Sequence, residues 1–185
     1  WISRAGSLFS MISSKMWWER TKASPLALEA WLFDQYRGES SAAGRIEALR
    51  DAFAPAGSRA FRVLTVIAEQ ERRHARWVGA LLEARGLAPR IEEKAERYWP
   101  AVADQVADLE TGAAVGAHAE VMRLERIEVI AADCAAPSDV HAVFARILPE
   151  ERFHARAFAA LAGEAALMRT AAAHDLGMAL LGLAP

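Results

Sequence analysis

Two four-residue repeats, Glu71-Arg72-Arg73-His74 and Glu151-Arg152-Phe153-His154, carry the side chains best suited to chemistry in this sequence. Residues three apart share one face of an α-helix, so each Glu-x-x-His presents a carboxylate and an imidazole side by side. Each pair lies inside an apolar stripe. The first reads Leu64, Ile67, Glu71, His74, Val78, Leu81, and the second Phe144, Ile147, Glu151, His154, Phe158, Leu161. Steps of three and four mark the core-facing side of a packed helix. A carboxylate buried there without a partner costs on the order of several kcal/mol or neutralises itself by taking a proton. Two such carboxylates, each beside a histidine, imply a cation that offsets their charge.

Two further segments carry one acid each in an otherwise apolar line. In Leu28, Leu32, Tyr36, Glu39, Ala43, Ile46, Leu49 (or Arg50), Phe53 the acid is Glu39, whereas Glu29 and Glu47 fall off the line. In Val106, Leu109, Ala113, Ala117, Glu120, Leu124, Ile127, Ala131 it is Glu120. Glu128 lies about 80° further round that helix and Glu125 and His118 further still, at roughly 100° per residue. Glu128 and Glu125 stay open as alternative third-helix ligands. Glu39 and Glu71 are 32 residues apart and Glu120 and Glu151 are 31 apart, so the chain reads as two copies of one helix pair. A Glu from each of two helices and a Glu-x-x-His from each of the other two is the carboxylate-bridged two-metal pattern of ferritin-like bundles. The expected metal ligands are Glu39, Glu71, His74, Glu120, Glu151 and His154. Four carboxylates and two neutral imidazoles bring two divalent ions close to neutrality, and this oxygen-rich donor set suits iron or manganese better than zinc or copper. Tyr36, three residues before Glu39 on the same face, is a candidate to hydrogen-bond a ligand or relay an electron; a satisfied core tyrosine is the plainer reading.

The elements that position these residues follow from start and stop signals. Ser24-Pro25 opens the first long helix, with Ser as N-cap and Pro at the first helical position, and Ala54-Pro55-Ala56-Gly57 ends it. Gly38 inside it fits either a close backbone approach beside Glu39 or a glycine that the helix simply tolerates. Ser58 caps the second helix and Gly86 stops it; the short turn makes these two helices antiparallel neighbours. Residues 87–100, flanked by Pro89 and Pro100, form a crossover with a short helical piece expected at Ile91 to Trp99. The third helix is expected to loosen around Thr111-Gly112 and Gly116. Ser138-Asp139 is read as the cap of the fourth, and Pro149 as a kink or bulge within it. The fold class is therefore all-α: a ferritin-like four-helix bundle at residues 24–163, with a crossover between its second and third helices. Residues 1–23 form an N-terminal extension, and an additional helix follows at 164–185.

The run Gly38-Glu39-Ser40-Ser41-Ala42, together with the two Glu-x-x-His motifs, resembles the di-iron domain of rubrerythrins, within the ferritin-like superfamily, over roughly Pro25 to Gly163. The resemblance implies that Glu71 and Glu151 bridge two ions while Glu39 and Glu120 are terminal. The sequence departs from the family at Arg123: rubrerythrins carry a Glu-x-x-Glu on this helix, and here Glu120 is followed by an arginine. No cysteine-rich rubredoxin segment is present in the sequence.

Composition narrows the function classes. The chain is 54% hydrophobic and without strand-favouring runs, which directs it to a helical core. A net charge of −2 gives no electrostatic case for nucleic acid or an anionic membrane surface. The single Cys134 excludes an internal disulfide and any centre held by four cysteines, and fits a reducing, cytoplasmic setting. Residues Trp1 to Trp18, with Arg4 and Lys15 and no acid, faintly resemble a transit peptide; an accessory helix or remnant is the plainer reading. The expected function is a non-haem di-iron oxidoreductase that reacts with peroxide or O2, takes electrons from an external donor, and works as a homodimer or small homo-oligomer. The alternatives are an iron-oxidising or iron-handling ferritin-like protein and a hydroxylase of the quinone-hydroxylase type.

Overall fold

The computed structural model describes residues 13–91 and 95–183. The chain forms α1 (Ser14–Lys22), α2 (Pro25–Phe53), α3 (Arg59–Ala84), a short α4 (Tyr98–Val102) continued by a 3-10 turn, α5 (Leu109–Ala132) and α6 (Ser138–Leu180). Among the described residues it contains no strand. The architecture is the all-α, ferritin-like bundle expected from the stripes.

Local chemistry sets most of the helix ends. Ser24 Oγ accepts the Ala27 N–H (3.3 Å) and Ser58 Oγ accepts the Phe61 N–H (3.0 Å), each satisfying a donor the helix itself cannot. Asp108 starts α5 with a reciprocal cap, accepting from Thr111 N (2.7 Å) while the Thr111 hydroxyl accepts the Asp108 N–H (3.1 Å). Several expectations are corrected. The cap anticipated at Ser138-Asp139 does not form; Asp139 instead pairs with Arg85 at 2.7 Å, tying the α6 start to the α3 end. The short connecting helix lies at Tyr98–Val102, later than expected, and residues 92–94 of the anticipated piece fall outside the described residues, as does the Arg4 region of the N-terminus. Pro149 leaves the dihedrals of α6 helical, and the break comes at Gly163, with φ 70° and ψ 162°. Gly112 and Gly116 do not loosen α5, which is continuous through both. They permit close packing: a Cβ at Gly112 would lie 2.2 Å from Leu49, and one at Gly116 2.9 Å from the Phe158 ring. No atom approaches within 4 Å of the corresponding position at Gly38.

Three layers run through the bundle. At one end Trp18, Leu32, Val78, Ile127, Phe144 and Ile147 form an aromatic-rich core. At the other, Ala43, Ile46, Ile67, Ala117 and Phe158 form an alanine-rich one. The acids and histidines lie between the two in every long helix. Along the chain, α2 and α6 pass from the aromatic layer to the alanine layer, whereas α3 and α5 pass the opposite way. Two successive helices with the same direction require a long return, which residues 85–108 supply. In that return Tyr98 closes on Gly177 near the end of α6, where an added Cβ would lie 2.6 Å from its ring. At the opposite end α1 clasps the α5–α6 turn. Buried Trp18 donates its Nε1–H to Asp133 Oδ2 (2.7 Å), and Lys22 Nζ reaches the same oxygen at 2.7 Å.

The two kinds of glycine predict opposite stability changes. At Gly163 any side chain must occupy a backbone region that costs about 1–3 kcal/mol, so Gly163→Ala lowers the melting temperature. At Gly38, in open space within a helix, alanine recovers up to about 1 kcal/mol, so Gly38→Ala raises it. Thermal unfolding followed by circular dichroism measures both; shifts in the same direction would contradict this account.

Candidate metal centre

The layer between the apolar cores is built from one acid of each long helix and the two histidines. Glu39, Glu71, His74, Glu151 and His154 are 0% exposed and Glu120 is 5% exposed. The structure thus brings together all six residues expected from the sequence. They fall into two donor sets, Glu39, Glu71, His74, Glu151 and Glu71, Glu120, Glu151, His154; in each, one ligand atom per residue lies within 4.8 Å of all the others. The sets share Glu71 and Glu151. The inward atoms lack hydrogen-bond partners among the described residues: both oxygens of Glu71 and of Glu151, Oε2 of Glu39 and of Glu120, and Nδ1 of both histidines. Several approach closely without aligned hydrogen bonds, among them His74 Nδ1 to Glu151 Oε1 and His154 Nδ1 to Glu71 Oε1, both at 3.1 Å. Buried polar atoms are normally paired, so a buried cluster with eight inward oxygen and nitrogen atoms left without hydrogen-bond partners fits a pair of metal ions. Carboxylate oxygens with imidazole nitrogens suit iron or manganese.

The outward faces of the histidines are fixed by residues that sequence reasoning missed. His74 Nε2 bonds Glu150 Oε2 at 2.9 Å, and His154 Nε2 donates to Gln70 Oε1 at 3.0 Å. Holding the proton on Nε2 leaves Nδ1 as the inward donor atom, the orientation that metal-binding histidines take from such partners. The signal was present: Gln70 and Glu150 each immediately precede the glutamate of a repeat, so the repeat is five residues long and each copy supports the other copy's histidine. Glu150 is held in turn by Arg73 at 2.7 Å.

The remaining candidates lie elsewhere. Glu128 pairs with Arg152 (2.8 Å) on the surface, and Glu125 is an exposed acceptor for Ser14 (3.4 Å), so Glu120 is the α5 acid that faces the cluster. Glu47, off the apolar line of α2, pairs with Arg72. Tyr36 packs its ring against Gly79 of α3, and among the described residues its hydroxyl bonds none of the six. His118 and His174 stack at 4.6 Å beside Tyr98, and His141 bonds the Ala131 carbonyl (3.1 Å).

Arg123 enters the cluster three residues after Glu120. Its Nη2 bonds Glu39 Oε1 at 2.5 Å and lies 3.7 Å from Glu151; its Nη1 lies 3.7 Å from Glu71 and 3.9 Å from Glu120. This guanidinium reorganises the charges. Burial pushes all four carboxyls up, yet the charge of Arg123 and the neighbouring His74 hold Glu39 and Glu151 below their ordinary value. For Glu71 and Glu120 burial prevails, reinforced by the other acids, and both are held well above it. Burial opposes a charge on His74, but the carboxylates of Glu151 and Glu39 overcome it and raise that imidazole to about 10. His154, buried and near two cations, falls to about 4.

Comparison with known proteins agrees with this geometry. The family model for rubrerythrin matches residues 32–162, a span that contains all six inward residues. No curated protein and no solved structure matches the chain.

The pKa directions fix how the metal-free protein responds to pH. Glu71, Glu120 and His74 have raised values, so the stability they contribute is present at low pH and is lost as pH rises through their folded values. For His74 that window runs from 6.5 to about 10. Metal ions require the same groups deprotonated. The melting temperature of the metal-free protein therefore falls between pH 6.5 and 10, while the stabilisation gained from added Mn(II) grows. Calorimetric scans across that range test both trends, and parallel curves with and without metal would refute them.

Proposed function

The chain belongs to the rubrerythrin family, and from that premise we propose that it is a di-iron oxidoreductase that reduces peroxide or O2 with electrons from an external donor. One observation carries the reading: two complete donor sets that share Glu71 and Glu151, buried between two apolar layers. Glu39 and His74 would complete one position, Glu120 and His154 the other. A pair of iron ions held by these six residues would supply the redox chemistry. The chain's own residues prepare the environment. Trp31, Phe144 and Ile147 on one side and Ile67, Ala117 and Phe158 on the other exclude water. Gln70 and Glu150 aim the imidazoles, and Glu71 and Glu120, which burial favours in the protonated form without metal, would give up their protons to bind it.

The remaining parts of the proposal rest on chemistry rather than contact. Cys134 is exposed and is the only cysteine of this sequence, and we propose that electrons reach the cluster from a separate donor. No helix among the described residues is long and apolar enough to cross a membrane. We propose, as the single exposed Cys134 suits a reducing setting, a cytoplasmic homodimer or small homo-oligomer.

Elemental analysis and turnover test the reading together. Protein produced with iron binds two ions per chain and consumes peroxide or O2 when a reductant is added. Gln70→Ala, which frees His154 to rotate, weakens metal affinity by about 10- to 100-fold. A store would require a large closed shell, so light scattering and iron loading in air separate the alternatives. A small particle that stops near two ions per chain supports the enzyme, and a shell of some two dozen subunits filled with iron overturns it.

A further inference from the structure

The position of Arg123 carries one step more, resting on the metal-centre reading above. The two donor sets would be nearly equivalent by ligand type, each with a histidine, a terminal glutamate and the shared pair. The guanidinium makes them unequal. Its shortest contact, 2.5 Å, is to Glu39, which belongs to one set only; its distance to Glu120, which belongs only to the other, is 3.9 Å. It thus lies on the Glu39–His74 side, holding Oε1 of Glu39 and leaving Oε2 as that residue's unpaired inward oxygen. Arg72 and Arg152, by contrast, are spent on Glu47 and Glu128 at the surface.

Charge gives the same direction. Four carboxylates provide at most four negative charges, and an arginine remains protonated in any protein environment. One divalent ion leaves the guanidinium compatible with the acids that remain. Two divalent ions offset all four acids and leave the guanidinium in excess, beside a cation in a dry site where like charges repel strongly. The side chain of Arg123 is 19% exposed, so its long stem reaches the cluster from the surface and has solvent to move toward.

We propose that Arg123 is a built-in counter-cation of the Glu39–His74 position, so that metal fills the centre in a fixed order. The first ion enters among Glu71, Glu120, Glu151 and His154. The second enters among Glu39, Glu71, His74 and Glu151 against the positive charge of the guanidinium, and is held more weakly. Arg123 also balances the acids of the metal-free protein, which lets the core assemble before metal arrives.

Anaerobic calorimetric titration of the metal-free full chain with Mn(II), repeated with Fe(II), tests the order. The wild type is expected to show two events, the second at least about tenfold weaker, a factor in the range by which outer partners tune metal sites. Arg123→Gln narrows that gap and lowers the melting temperature of the metal-free protein; Arg123→Lys, which keeps the charge, preserves most of both. Glu39→Gln removes the weak event and spares the strong one, whereas Glu120→Gln removes the strong one. Two events of equal affinity in the wild type, a gap unchanged in Arg123→Gln, or loss of the strong event in Glu39→Gln would overturn the proposal while leaving the metal centre standing. No binding of either ion by the folded wild type would overturn the metal-centre reading itself, and the ordering with it.

Discussion

Four carboxylates facing one another across a dry helical core must be offset by positive charge or by protons, and the rest of this structure is arranged around that requirement. Stripping water from one carboxylate costs several kcal/mol in a real protein, even after relaxation. Here both remedies are present at once. Arg123 and His74 hold Glu39 and Glu151 toward the ionised form, while burial and the neighbouring acids hold Glu71 and Glu120 toward the protonated one. The arrangement is self-consistent without metal, yet it leaves orphaned inward atoms on every long helix. A core that only needed charge balance would not leave both oxygens of two glutamates without an aligned hydrogen bond.

Holding that polar layer in register is the task of the apolar layers above and below it. Large aromatic side chains fill one end and small residues the other, and the small ones let α5 approach its neighbours closely at Gly112 and Gly116. Rigid packing on both sides keeps the six side chains in place although their charges would favour separation. The long connection carrying Tyr98 and the clasp of Trp18 on Asp133 close the two ends. Neither contributes a residue to the centre.

The two halves of the chain repeat one another, but not in their charges. Each histidine is aimed by the residue that precedes the other repeat's glutamate; one of these is the neutral Gln70 and the other the charged Glu150, itself held by Arg73. Arg123, three residues after Glu120, adds a second asymmetry, because the residue three after Glu39 is Ala42. A duplicated scaffold thus holds two positions with the same ligand types and different electrostatics, which is the condition for two ions to differ in affinity and redox behaviour.

The fold class, the six inward residues and the pairing of helices were legible in the sequence because each depends on a period or a local rule. Three-and-four spacing places Glu39, Glu71, Glu120 and Glu151 on buried faces, and Ser24 and Ser58 cap helices through bonds within one turn. What spacing could not decide were contacts between helices. Whether Glu120 or Glu128 faces inward depended on Arg152 reaching Glu128 from α6. The break at Gly163 rather than Pro149 depended on where the end of α6 packs against α4 and α5. Gln70 and Glu150 had visible positions in the repeat, but their pairing across it is a long-range hydrogen bond. Arg123 is the clearest case: in the sequence it is an arginine where the family carries a glutamate, and only the tertiary structure shows its guanidinium among four carboxylates. Periodicity fixes which face a residue takes, whereas charge partners are chosen by distances between helices, which no single helix contains.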